Sequence, residues 1–116
     1  MQKAYRIRKN KQFHYVYRKG KGAGGREMGL TYVRAAKLQV GFSVSKKVGN
    51  AVTRNLVKRR MRECFRLQMD TLKTGFYVFT ARPSAGEATY QQLEKTMNSL
   101  LRRQKLYRDM YCIRPG

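Results

Sequence analysis

Acidic side chains are scarce in this sequence: six Asp and Glu stand against 27 Lys and Arg, a formal charge of +21 over 116 residues. Self-repulsion on that scale is costly without a polyanionic partner, and nucleic acid is the counter-ion it implies. Long apolar runs are missing as well. No window approaches the ~18 uninterrupted apolar residues of a spanning helix, and no apolar run follows the first charges, which excludes a membrane and an export signal and leaves a soluble cytoplasmic protein as the expectation. Cysteine is limited to Cys64 and Cys112, without a CxxC spacing or a flanking His, so neither a zinc site nor a disulfide framework is indicated, and Cys64 is expected in the core. His14 is the only histidine and has no partner for a general acid-base pair. The carboxylates Glu27, Glu63, Asp70, Glu87, Glu94 and Asp109 show no recurrent ligand spacing. The expectation is therefore no catalytic residue, no metal ligand and no cofactor on this chain.

What is present is enough to fold. Hydrophobic residues make up 41%, with eight Tyr and five Phe, which is too apolar for a disordered basic tail. The length allows one modest core, so residues 1–116 are expected to form a single domain, nucleic-acid-binding by its charge, with short flexible ends at 1–5 and 108–116. Residues 1 to 21 carry eight cations and no acid. Within them Asn10 is placed to cap a short helix whose Phe13, Val16 and Tyr17 share a face, and Gly20 to close it in a left-handed conformation. The glycine-rich run from Lys19 to Gly25 suggests a mobile connection. Alternation predicts strands over 28–35 and 38–45, the second with Val40, Phe42 and Val44 on one face and Gly41, Ser43 and Ser45 on a shallow polar one suited to a groove floor. A helix is predicted over about 53–70, and a buried strand over 76–81. After a loop at Pro83, Ser84 and Gly86, the pattern Thr89-Tyr90-Gln91-Gln92 is a capping box opening a helix that fades near Gln104.

The helix after Thr53 carries most of the information. At 100° per residue, Leu56, Val57, Met61, Cys64, Phe65 and Leu67 share an apolar half, interrupted by Arg54 and Arg60. The opposite arc holds Asn55, Lys58, Arg59, Arg62 and Arg66. Like charges at i, i+4 cost a few tenths of a kcal/mol per pair, a penalty that a phosphate backbone reverses. Lys46, Lys47 and Arg54 join the helix start, with its free N–H groups, in one anion-binding corner.

The stretch Val40 to Glu63, reading VGFSVSKKVGNAVTRNLVKRRMRE, closely resembles the signature of the bacterial ribonuclease P protein subunit family. Phe13 and Tyr17 in a basic first helix, Arg82-Pro83 after an apolar strand, and Leu100, Leu101 and Arg102 in the last helix extend the resemblance over most of the chain. It implies an α+β fold: an α-β sandwich with a mostly antiparallel central sheet, about three helices and a left-handed βαβ crossover. It also implies a protein that assists a catalytic RNA, which requires Mg2+, in removing the 5′ leader from precursor tRNA. By that resemblance the expected contacts to the RNA subunit are Lys46, Lys47, Asn50, Arg54, Asn55, Lys58, Arg59, Arg60, Arg62 and Arg66. The expected leader contacts are Phe13, Tyr17, Lys9, Ser43, Ser45 and Arg82, with the exposed sheet face. One departure stands out: the family's Arg-Asn-Arg triplet here is Arg54-Asn55-Leu56. Arg60, one turn on, is expected to lean back over Leu56 and partly replace the missing cation.

Two other readings share the charge, which alone does not separate them from the first. A ribosomal or other structural RNA-binding protein shares the size and the basic helix, and only a cleavage assay separates it. A double-stranded DNA reader would need a preceding helix at turn spacing, which is absent, so DNA is not expected as a partner.

Overall fold

A computed structural model describes residues 5–7 and 9–108; of the ends expected to be flexible, residues 1–4 and 109–116, including Cys112 and Asp109, lie outside the described residues. Three helices, α1 (Asn10–Lys19), α2 (Ala51–Arg66) and α3 (Tyr90–Arg103), surround one sheet of β1 (Lys21–Gly24), β2 (Met28–Val33), β3 (Gln39–Ser43) and β4 (Phe76–Ala81). The spatial order is β1-β2-β4-β3, with β3 parallel to β4 and the other pairs antiparallel. The sheet is thus mostly antiparallel, and β3, α2 and β4 form the expected βαβ unit.

The period of two along each strand sorts the layers. Leu30, Val40, Phe42, Tyr77 and Phe79 pack with Val57, Met61, Phe65, Leu93 and Met97 of α2 and α3, while Val78 and Phe76 pack with Val16 and Phe13 of α1. Phe65 fixes α2 to the sheet: its ring centroid lies 5.3 Å from that of Tyr77 and 5.7 Å from that of Phe79, both edge-on. The capping box of α3 forms as predicted, Thr89 Oγ1 accepting from the Gln92 N–H and Gln92 Oε1 from the Thr89 N–H. Cys64 is buried, as expected.

Four local expectations are corrected. The run 19–25 is not a loose connection, because Lys21 to Gly24 pair with Tyr32 to Gly29 as an edge strand, and Arg103 and Gln104 of the α3 end donate to its carbonyls at Gly24 (2.6 Å) and Lys21 (3.1 Å). Gly20 ends α1 with extended backbone (φ −83°, ψ 164°); it is glycine because a β-carbon there would collide with the Val16 carbonyl and Thr31. Lys9, not Asn10, is the cap position of α1. The helix predicted over about 53–70 is shorter at its end: α2 stops at Arg66, so Leu67, expected in the apolar half, lies past the last turn and is 63% exposed.

Candidate nucleic-acid interface

The start of α2 gathers the first cations. Lys46 and Lys47 are exposed in a short 3-10 turn, Lys46–Val48, that leads to Asn50. Asn50 is the helix cap, its Oδ1 accepting the Thr53 N–H at 2.9 Å, so the side chain expected to touch RNA is engaged in shaping the helix start. The positive end of the helix dipole and the two lysines share this corner. Along the outer arc Asn55, Lys58 and Arg59 are exposed and Arg62 is half-buried. Arg54 is half-buried too, with its Nε withdrawn from solvent and without a hydrogen-bond partner among the described residues.

Two arginines of the expected set are already engaged within the protein. Arg66 donates to both carboxylate oxygens of Glu63, from Nε at 3.2 Å and from a second nitrogen at closer range, and these bonds hold the Glu63 carboxyl below its usual range. Arg60 does not lie free over Leu56: its guanidinium donates to the Ala88 carbonyl oxygen at 3.0 Å, joining α2 to the turn before α3. The reason is its place on the helix wheel, where it falls inside the half that faces that turn.

Between α1, β3 and α2 lies a cleft of about 300 Å³. Phe13 packs directly over Gly41, where a β-carbon would stand 2.6 Å from ring carbons Cε1 and Cζ. The extended segment before α1 runs beside β3, the Ile7 N–H donating to the Val40 carbonyl at 2.9 Å and Arg6 pairing in parallel with Val40, which brings Arg6 to the rim. Lys58 and Arg62 form the other rim. The same two cations, with Val52, Leu56 and Arg59, also line a concavity of about 500 Å³ on the outer face of α2. One pair of charges therefore borders both the aromatic cleft and the basic arc.

The remaining expected leader residues divide. Ser43 stands beside Thr80 in the β3–β4 register, and the Thr80 hydroxyl meets that of Tyr17 at 2.8 Å, so Tyr17, 44% exposed, continues the strip that begins at Phe13 and Gly41. Lys9 and Ser45 are exposed, at the α1 cap and just past β3. Arg82 is not brought to the cleft; its guanidinium lies against Gly24 of β1, the opposite edge of the sheet from β3. Sequence reasoning missed Arg6, Ile7 and Thr80 as site residues. Arg6 had a signal in the acid-free first stretch, whereas Ile7 and Thr80 join only through strand register.

A family profile described as Ribonuclease P matches residues 1–105. A ribonuclease P protein component from Alkaliphilus metalliredigens is 40% identical over 110 residues, covering 91% of this chain and 98% of that one. Another, from Clostridium botulinum, is 43% identical over 110 residues, covering 90% and 98%. The solved structure of the Staphylococcus aureus RNase P protein is similar with a TM-score of 0.85 at 33% identity, over 91% of this chain and 100% of that one. A profile that spans most of the sequence, and relatives this similar along almost their whole length, lead to one conclusion: the chain belongs to the ribonuclease P protein family.

Proposed function

We propose that this chain is the RNA-binding protein subunit of ribonuclease P and acts in 5′ maturation of tRNA, binding the ribonuclease P RNA through α2 and the 5′ leader of precursor tRNA in the cleft between α1 and β3. The observation that carries the reading is the shared rim: Lys58 and Arg62 border the cleft under Phe13 and the outer concavity of α2 together. A single strand stacked on Phe13 and Tyr17 then leaves its phosphates beside cations that also face the RNA subunit, so substrate and ribozyme meet across one helix. Stacking on aromatic rings accepts any base, which suits a leader of varied sequence.

In this reading endonucleolytic hydrolysis and its Mg2+ belong to the RNA subunit, and the protein contributes binding, positioning and charge screening. A cytoplasmic setting goes with the role; no described helix is long and apolar enough to cross a membrane. Family membership weighs against a ribosomal structural protein. The deciding experiment adds the purified protein to a bacterial ribonuclease P RNA at magnesium too low for the RNA alone and follows cleavage of a precursor tRNA. Stimulation that grows with leader length is expected; equal cleavage with and without the protein overturns the proposal.

A further inference from the structure

A second group of cations lies at the other end of the strands, around a concavity that shares no lining residue with the cleft or with the outer face of α2. It measures about 680 Å³ and sits where β2 ends and the chain enters β4, beneath the end of α3. Lys21, Arg34, Lys73, Lys105 and Arg108 line it around Tyr32, and no carboxylate does. None of the five is ion-paired among the described residues.

These charges stand on fixed backbone. The Lys73 N–H donates to the Leu106 carbonyl at 2.8 Å and the Arg108 N–H to the Thr71 carbonyl at 2.9 Å, so the segment after α3 is stitched to the one before β4. Lys105 has φ +55°, a left-handed conformation that non-glycine residues adopt only at a cost and that no other non-glycine residue among those described shares. Like charges held together in a concavity focus a positive potential that a polyanion relieves.

The face of the sheet identifies which polyanion. Tyr32 packs against the core that α2 and α3 cover, and α3 packs on α2. The concavity thus lies on the face of the sheet that carries α2 and α3, whereas the strip of Phe13, Gly41 and Tyr17 lies on the α1 face. One folded RNA on α2 reaches both surfaces; a single strand beside Phe13 would have to round the sheet. Resting on the reading above, we propose that this concavity is a second phosphate-backbone site for the ribonuclease P RNA, so that the RNA subunit grips the protein at both ends of the strands.

The test is a full-length Lys73→Gln, Lys105→Asn protein, Asn being tolerant of the left-handed conformation. Binding to ribonuclease P RNA, to precursor tRNA and to leaderless tRNA is measured across a salt series, with Arg59→Ala, Arg62→Ala as the α2 control. The expected result is RNA-subunit affinity roughly fivefold weaker or more and a log-log salt slope reduced by about 1.4 to 1.8, two contacts' worth. The affinity gain conferred by a leader stays unchanged, and Lys73→Arg, Lys105→Arg binds as the parent does. If the double variant binds the RNA subunit with unaltered slope while the α2 control is weakened, the second site is wrong and the functional reading stands. A loss seen only with precursor or leaderless tRNA also overturns it, by assigning the cations to substrate. If neither variant changes RNA-subunit binding, the functional reading itself fails. Should the double variant melt lower than the parent, Lys21→Gln, Arg34→Gln gives the same comparison from β1 and the end of β2.

Discussion

The ring of Phe13 rests on the bare Cα of Gly41, a closer approach of α1 to β3 than any side chain at position 41 permits. Gly41→Ala should push the ring off the cleft floor, lowering stability by about 1 to 3 kcal/mol. The leader-dependent part of precursor tRNA binding should fall with it. Phe13→Ala should cost about 1 to 3 kcal/mol of leader affinity, one stacked base. Titrations with precursor and leaderless tRNA check both, and an unchanged leader contribution in Phe13→Ala removes Phe13 from the site.

Arg59 and Arg60 are neighbours in sequence with opposite surroundings, one exposed and one bonded to the Ala88 carbonyl. Arg59→Ala should leave unfolding unchanged and lower the salt slope of RNA binding by about 0.7 to 0.9. Arg60→Ala should lower stability by about 1 to 2 kcal/mol, a charged hydrogen bond discounted for its partial exposure. Denaturant melts beside filter-binding salt series separate the two effects.

Glu27 is a buried carboxylate, 6% exposed, and it accepts a hydrogen bond from the Thr96 hydroxyl of α3. Thr96→Val keeps the shape and removes the donor. The loss should be about 1 to 3 kcal/mol, because a buried charge is left with one partner fewer. Urea unfolding of Thr96→Val and Thr96→Ser tests it, the serine variant restoring most of the stability.

Burial raises the phenol pKa of Tyr77 far above 10 and pushes Tyr90 up to about 12, with Tyr32 and Tyr107 shifted the same way. A raised folded pKa on an acid means the unfolded chain loses its proton first. The contribution is therefore complete below pH 10 and declines as the pH climbs from 10 through the folded values. Stability should fall steeply above pH 10, and Tyr77→Phe should flatten that decline while losing the bond from Tyr77 to the Lys73 carbonyl, 2.6 Å long. Unfolding free energies at pH 8, 10 and 11 give the slope.

How much of this was legible in the sequence depended on how local each signal is. The strand Phe76–Ala81 and the helix opening at Thr89 were visible because a continuous apolar run and a capping box are complete within a few residues. β1 was not, since Lys21 to Gly24 have little strand propensity of their own and pair only because β2 presents a matching ladder. The arc Asn55, Lys58, Arg59 and Arg62 followed from helical spacing, but Arg60 needed Ala88, 28 positions away. The cleft was half legible: Phe13 and Gly41 each stood out alone, and only their meeting across the β3 edge makes a floor and a wall.

The strand pair β3 and β4 is parallel, and the chain between its members has to run through all of α2 before the second strand can be laid down. Such a closure involves partners distant in sequence, the kind of contact whose loop entropy slows assembly. Neither the floor beneath Phe13 nor the alignment of α2 along it exists until that step is complete. A full-length chain that has not closed this pair thus carries all its positive charge with no selective surface on which to use it, and discrimination among RNAs arrives together with the last strand.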